Sequence, residues 1–148
     1  MAGLAPKLPL RRHDLDGYEL IKRHSDLVKQ NFKMLLLTHP GERLMDPLFG
    51  VGLKQFLFEQ NHESTYERVR MKINSQVAKY MPYIDILGIQ FRPGSESTND
   101  GSVLSIKIKI FVKPLRLVES FDVKYDYQLD NISFTSDVAR DSSTNSGY

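Results

Sequence analysis

The residues best suited to chemistry are two carboxylates, Glu42 and Asp46, in a segment rich in glycine and proline. Paired carboxylates are what glycoside hydrolysis requires, one acting as the acid and the other as base or nucleophile. An apolar wall formed by neighbours such as Leu44, Met45 and Phe49 would raise the pKa of one of them, as this chemistry needs. Arg43 directly follows Glu42, however, and such a pair is more often a structural clamp. A cell-wall glycosidase that uses Glu42 and Asp46 is therefore the alternative hypothesis to a structural role of this segment.

Other reactive groups are too scattered to form a site. The four histidines lack the paired spacing of a metal site; they are His13, His24, His39 and His62. The sequence contains neither a G-x-S-x-G elbow nor a glycine-rich phosphate loop. The absence of cysteine excludes disulfides, thiol nucleophiles and cysteine-based zinc sites. We therefore expect no enzyme activity, no cofactor, no metal and no small-molecule substrate.

The size and composition predict one small globular domain. The chain has 148 residues, of which 41% are hydrophobic, enough for a core. Its apolar runs are far shorter than the roughly 20 residues of a membrane-spanning helix, and its N-terminus lacks the apolar stretch of a secretory signal. Lysines and arginines are not interleaved with aromatic residues in any run. We therefore expect neither a membrane nor a nucleic acid as a partner.

The net charge of +2 hides an uneven distribution. From residue 119 onward there are 6 acidic and 2 basic side chains, whereas residues 1–118 carry 12 acidic and 18 basic ones. Such asymmetry favours association with partners of complementary charge. We accordingly predict that an acidic strip over residues 122–130 faces a basic partner.

Apolar residues recur at helical spacing in two long segments. The first is predicted to begin at Ser25 as N-cap and to end near Thr38, before a proline and a glycine. The second is predicted to open with a capping box of Ser64 and Glu67 and to end at Pro82. A short helix is predicted over residues 53–59. The inward stripe of the second long helix is Val69, Ile73, Val77 and Tyr80.

The connection over residues 38–52 contains two prolines and three glycines, which constrain its path strongly. Gly41 and Gly50 are predicted to take positive φ. We expect four apolar anchors to pack the loop down: Leu44, Met45, Leu48 and Phe49. One interpretation is a well-packed turn, and the other is a rigid bend that presents Glu42 and Arg43 to a partner.

The last third of the chain changes to the alternating pattern of β-strands. Alternation is short over residues 87–91 and long over residues 103–112 and 121–129, with a short extension at Ile132 and Phe134. The predicted fold class is α+β, with N-terminal helices packed on a small antiparallel sheet of about three strands. The predicted organisation is an extended arm with few local contacts (1–16), a single domain (17–135) and a flexible tail (136–148).

Residues 35–60, LLLTHPGERLMDPLFGVGLKQFLFEQ, resemble the phage baseplate wedge family named for the W protein and gene product twenty-five. That family is related to the TssE component of type VI secretion. The family hallmark that this stretch resembles is an apolar helix followed by the motifs T-x-x-G-E-R, D-P-x-F-G and L-x-x-x-L-F-E. The matching positions are Thr38, Gly41, Glu42, Arg43, Asp46, Pro47, Phe49, Gly50, Leu53, Leu57, Phe58 and Glu59. The resemblance extends over about residues 18–130.

The resemblance implies a structural, non-catalytic part of a contractile tail, located in the virion baseplate. The implied partners are larger wedge proteins and tail sheath subunits, whose strands would join an edge of the sheet and so initiate the sheath. The strands over residues 103–112 and 121–129 are the candidate edges. Assembly in the host bacterial cytoplasm would suit a chain without cysteine. A baseplate subunit of a type VI or extracellular injection system is a further alternative.

The resemblance also implies which residues bind partners. In the loop these are Glu42, Arg43, Asp46 and Phe49. At the end of the second long helix, relatives commonly carry a Glu-Pro-Arg triplet that faces neighbouring wedge subunits. This chain has Met81, Pro82 and Tyr83 there, so the implied contact is apolar and aromatic rather than ionic.

Overall fold

The structure, a computed structural model, describes residues 3–15, 17–57, 59, 62–92, 103–126 and 131–138. Contacts within the chain divide it into two units, Met1–Leu53 and Lys54–Tyr148. The predicted boundaries of arm, domain and tail stay a prediction.

The first unit opens with two short antiparallel pairs, one inside the other. The strands are β1 (Ala5–Pro6) with β4 (Leu20–Ile21), and β2 (Arg12–His13) with β3 (Gly17–Tyr18). Backbone hydrogen bonds from Leu4 N–H to Ile21 O and from Lys7 N–H to Glu19 O, both 2.8 Å, extend the outer pair. The expectation of few local contacts in residues 1–16 is therefore wrong, because the segment folds back on itself.

Helix α1 spans His24–Leu37 and buries Phe32, Leu35 and Leu36. It begins two residues earlier than predicted, because the N-cap is Arg23, which has an extended backbone and makes no side-chain cap hydrogen bond. Ser25 consequently lies inside the helix, and its predicted capping role is wrong. The predicted end is confirmed, since both the backbone N–H and the hydroxyl of Thr38 donate to Met34 O, at 3.0 and 2.6 Å.

The other α-helices of the described residues are α2 (Leu53–Leu57) and α3 (Glu63–Tyr80). The N-cap of α3 is His62, without a side-chain cap hydrogen bond, so the predicted capping box is wrong. Three members of the predicted stripe, Val69, Ile73 and Val77, are buried, whereas the fourth, Tyr80, is only half-buried. None of the helices in the described part of the chain is long and apolar enough to span a membrane.

The second unit contains a four-stranded antiparallel sheet in the order β5-β6-β7-β8. The α+β class is thus confirmed, but the sheet has one strand more than predicted, because the short alternation around Ile132 continues into a full strand. That strand runs into the predicted tail. The four strands are β5 (Ile84–Arg92), β6 (Val103–Val112), β7 (Leu117–Asp126) and β8 (Asn131–Val138). Helix α3 packs against β5.

One face of the sheet carries the core of the second unit. Its central strands contribute Ile106, Ile108, Ile110 and Val112 from β6, and Phe121 and Val123 from β7, all buried. The acidic side chain of Glu119 is also buried, at 2% exposure, a feature that the alternating pattern does not reveal.

The opposite face of the sheet carries charged side chains. Lys107 Nζ lies 3.7 Å from the Asp122 carboxylate on the neighbouring strand, so this acid already has a cation beside it. The rest of the predicted acidic strip includes residues 127–130, which lie outside the described residues, as does the end of the predicted strand at Leu129.

The edges of the sheet are not the strands predicted from sequence. Both β6 and β7 pair on two sides, so neither is an edge, and the prediction that one of them accepts a strand is wrong. The edge strands of the described sheet are β5 and β8. In β5 the register shifts between Ile86 and Gly88, and Leu87 at this bulge is 57% exposed rather than inward.

Candidate functional site

The loop between α1 and α2 is fixed to the end of α1 by its own backbone. Val51 N–H donates to Leu35 O and Gly52 N–H to Thr38 O, each at 2.9 Å. Gly41 N–H donates to Pro47 O at 2.8 Å and closes the loop across its middle. The loop is therefore rigid at both ends and across its width.

Two glycines make this path possible. Gly41 and Gly50 have φ of 96° and 110°, as predicted, a region that residues with a Cβ rarely adopt. A Cβ on Gly50 would also overlap the carbonyl oxygen of Thr38, whereas a Cβ on Gly41 would meet nothing within 4 Å. Gly50 is thus required by both backbone conformation and space, whereas Gly41 is required by conformation alone.

Glu42 holds the turn that follows α1. Its Oε2 accepts the N–H of His39 at 3.0 Å, while its own N–H donates to His39 O at 3.1 Å. The carboxylate and the backbone N–H of Glu42 thus satisfy the N–H and the carbonyl group of His39. This arrangement is that of a structural clamp, the role that the neighbouring arginine favoured in the sequence.

The other three predicted residues of the loop lie at its far end. The guanidinium of Arg43 covers the ring of Phe49, which is itself only 8% exposed. The carbonyl of Asp46 accepts the N–H of Phe49 at 3.1 Å, and the side chain of Asp46 is half-buried. The loop therefore brings Arg43, Asp46 and Phe49 together, whereas the carboxylate of Glu42 is engaged at the turn after α1.

Three apolar side chains of the loop project into solvent instead of packing it down. Leu44, Met45 and Leu48 are 94%, 99% and 66% exposed, so the prediction that they anchor the loop is wrong. The backbone hydrogen bonds and the buried Phe49 and Val51 already hold the loop, which frees its tip. We call these three residues the apolar tip. Their apolar character was visible in the sequence, but their exposure was not.

The same exposure removes two of the three residues predicted to form the apolar wall of a glycosidase. Leu44 and Met45 lie in solvent, and the third residue, Phe49, is buried beneath Arg43. The Glu42 carboxylate accepts a hydrogen bond from the backbone N–H of His39. Within the described residues there is also no cluster of acidic, histidine or cysteine side chains that could hold a metal ion.

The predicted triplet after α3 lies in the second unit. Met81 is 4% exposed, whereas Pro82 is exposed and Tyr83 half-buried. The Tyr83 carbonyl accepts the N–H of Lys113 at 3.1 Å, which ties the triplet to the end of β6. Pro82 also lines a groove of about 260 Å³ together with Asn74, Val77, Ala78, Ile84, Asp85 and Ile86. Pro82 and Tyr83 are therefore the members that a partner can reach.

Comparison with known proteins connects this loop and triplet to one family. The model of the family described as baseplate wedge protein gp25 matches residues 22–114, which include both. The chain belongs to this baseplate wedge family. Baseplate wedge protein gp25 of Enterobacteria phage T4 is 35% identical over 66 residues, which cover 45% of this chain and 50% of that protein. The match thus spans about half the length of the phage T4 relative.

Solved structures show the same fold. A chain of the anti-feeding prophage baseplate has a TM-score of 0.63 at 21% identity, with 74% of this wedge-family chain and 84% of that chain covered. A putative tail lysozyme from Geobacter sulfurreducens has a TM-score of 0.56 at 17% identity, with 84% and 98% covered. At these identities the two structures establish a shared fold and nothing about chemistry.

Proposed function

We propose that this wedge-family chain is a structural component of a contractile-tail baseplate in a virion and that it binds a larger wedge protein through the apolar tip. The observation that carries the proposal is the exposure of Leu44, Met45 and Leu48 in a loop held rigid from both ends. Exposed clusters of large apolar side chains typically mark interaction sites. The family assignment and the baseplate neighbour support the same role.

The rigidity of the loop favours tight binding. A loop that is already held in its bound conformation loses little conformational entropy on association. The Glu42 clamp, the Gly41–Pro47 hydrogen bond and the Arg43–Phe49 contact supply this order before a partner arrives. Glu42, Arg43, Asp46 and Phe49 thus take part in partner binding mainly by shaping the surface that the apolar tip completes.

The exposed residues of the triplet supply a second contact. Pro82 borders a groove whose lining includes Val77 and Ile84, both buried in the second unit. A partner side chain that fills this groove would contact proline and aliphatic surface, in line with the loss of the ionic triplet. We assign this groove to an apolar side chain of a neighbouring wedge subunit.

The sheet edge that initiates the sheath is β8 in this proposal. An edge strand presents unpaired backbone groups that a strand of another chain can join. A bulge interrupts the regular ladder of β5, whereas β8 pairs with β7 in uninterrupted register from Asn131 to Val138. A strand from a tail sheath subunit would therefore add to β8.

A binding experiment tests the apolar tip. A larger wedge protein from the same baseplate is immobilised, and binding is measured for the chain with Leu44→Ser and Met45→Ser. We expect a loss of at least about tenfold in affinity, since two buried apolar side chains contribute more than about 1.4 kcal/mol. The matched control carries Met71→Ser and Leu87→Ser, which are 62% and 57% exposed elsewhere. Equal losses in both variants would contradict the proposal.

The glycosidase remains the second candidate because one solved structure with this fold is described as a putative tail lysozyme. Purified protein is incubated with peptidoglycan, and released fragments are measured against buffer. We expect no release. Release that disappears in Glu42→Gln, with folding intact, would show catalysis and contradict the structural proposal.

The gene neighbourhood separates a virion from a secretion or injection device. We expect capsid and terminase genes beside the gene for this chain. Their absence, with secretion or injection genes in their place, would assign the chain to a type VI or extracellular injection baseplate.

A further inference from the structure

A second cleft lies between α3 and β5, within the second unit. It has a volume of about 430 Å³ and is lined by Glu63, Tyr66, Arg70, Gln90, Phe91 and Arg92. We call it the aromatic cleft. It shares no residue with the apolar tip, with the groove at Pro82 or with β8.

Two aromatic rings form one wall of the aromatic cleft. The rings of Tyr66 and Phe91 stack with their centres 4.6 Å apart and their planes 17° from parallel. Both side chains are half-buried, so the stack combines a fixed position with open ring surface. The guanidinium of Arg70 lies 6.0 Å from the centre of the Phe91 ring, within the range of a cation–π contact.

The arginine donors of the aromatic cleft can receive an anion. Arg70 and Arg92 are both in the lining, against one acidic side chain, Glu63. One nitrogen of Arg70, Nη1, donates to Glu67 at 3.1 Å, but its Nε is shielded from solvent without a hydrogen-bond partner. A guanidinium has five donors in a planar fork that matches a carboxylate. Arg70 thus retains donor capacity at a place where water does not satisfy it.

We infer that the aromatic cleft binds an acidic side chain of a partner polypeptide, an aspartate or glutamate followed by an apolar residue. The carboxylate accepts hydrogen bonds from Arg70 and Arg92, and the apolar neighbour covers the rings of Tyr66 and Phe91. A small rotation of the Arg70 side chain brings its unpartnered Nε–H toward the carboxylate. The requirement for both features makes the site selective for acidic-apolar sequences.

The test uses the full chain and two synthetic probes, acetyl-Gly-Asp-Leu-Gly-amide and the same peptide with asparagine in place of aspartate. Each is titrated into isotope-labelled protein while the NMR signals of the arginine Nε–H groups are followed. We expect saturable shifts at Arg70 with the aspartate peptide and at least about tenfold weaker binding of the asparagine peptide, because charge-assisted hydrogen bonds are the stronger ones. Equal affinities for the two peptides would overturn the inference.

Variants locate the site. We expect Arg92→Gln and Arg70→Gln each to weaken binding of the aspartate peptide at least about threefold, since each removes one charged donor. Arg68→Gln is the control, because Arg68 lies on the same helix but pairs with Glu59. Arg92 is exposed, so its replacement is not expected to disturb folding even if that of Arg70 does. An equal effect of Arg68→Gln, or no effect of Arg92→Gln, would place any binding elsewhere and overturn the inference.

Discussion

The guanidinium carbon of Arg43 lies 3.7 Å from the centre of the Phe49 ring. The ring is buried and the arginine exposed, so this contact links the interior of the first unit to the surface beside the apolar tip. Two residues of the family hallmark that contact each other thus have different structural roles. Phe49 anchors the loop, and Arg43 covers the anchor.

The Arg43–Phe49 contact should be measurable as a coupling energy. We expect Arg43→Ala to lower the free energy of unfolding by about 0.5–1 kcal/mol, the usual size of a cation–π contact at an exposed site. Urea unfolding measures it. In the background of Phe49→Leu the same arginine substitution should cost almost nothing, because the ring is absent. An undiminished cost in that background would show that Arg43 acts through another contact.

Gly50 and Gly41 form a matched pair of positive-φ glycines. Gly41→Ala should lower stability by about 1–2 kcal/mol, since only the backbone conformation is strained. Gly50→Ala should cost more, because its Cβ would overlap the Thr38 carbonyl oxygen, and Gly50→Val should cost the most, by about 3 kcal/mol or more. Thermal unfolding of the three variants gives the order. A Gly50→Val variant of unchanged stability would mean that the loop adopts an ordinary conformation.

The side chain of Gln30 on α1 holds the start of the chain. Its Oε1 accepts the N–H of Leu8 at 2.9 Å, and its Nε2 donates to Pro6 O at 3.0 Å. In Gln30→Ala, hydrogen exchange at the Leu8 amide should accelerate by about tenfold, because each hydrogen bond contributes about 1 kcal/mol. Asn31→Ala, on an exposed neighbour, is the control. Equal exchange rates in the two variants would argue against this clamp.

Acid should weaken the link between Lys7 and Glu19. The pKa of Glu19 is lowered from 4.5 by the hydrogen bond from Lys7 Nζ at 2.6 Å and by the positive charges of Lys7, Arg11 and His13. A carboxyl with a lowered pKa in the folded state contributes stability above its unfolded pKa, and this contribution disappears as the pH falls through the folded value. Both side chains are well exposed, so the contribution is small and screened by salt.

An NMR titration of the Glu19 carboxyl tests this link. Its midpoint should lie below 4.5 in the natural chain and move upward in Lys7→Gln. Lys22→Gln, which removes a lysine of the same unit without this hydrogen bond, should leave the midpoint in place. An unchanged midpoint in Lys7→Gln would contradict the assignment of the shift to Lys7.

Much of the fold could be predicted from the sequence because its strongest signals are periodic. The alternation in β6 places its apolar residues on one face of a sheet. The spacing of Val69, Ile73 and Val77 places them on one face of a helix. The helix starts could not be located, because Arg23 and His62 occupy the N-cap positions without side-chain cap hydrogen bonds. The edge of the sheet was out of reach for a different reason: the order of strands depends on β8, whose own pattern is short.

The sequence predicted which segment contains the candidate site, but not which of its side chains are exposed. Prolines and glycines indicated a rigid loop, and the structure confirms the positive φ of Gly41 and Gly50. The sequence could not show that Leu44 and Met45 face water, because an apolar residue in a loop reads equally as an anchor or as an exposed contact. The aromatic cleft depends on the approach of α3 to β5, a tertiary contact that no local pattern encodes.

The bulge at Leu87 has a consequence for how far assembly can proceed. A sheet whose two edges are both regular can extend without limit, because each added chain offers a new edge strand to the next one, as in fibrils. Here the pairing of β8 with β7 is uninterrupted, whereas the pairing of β5 with β6 contains a bulge. If strands add at β8 as proposed, the bulge would disfavour a second addition at β5. Such a chain would start a stack of subunits without polymerising itself.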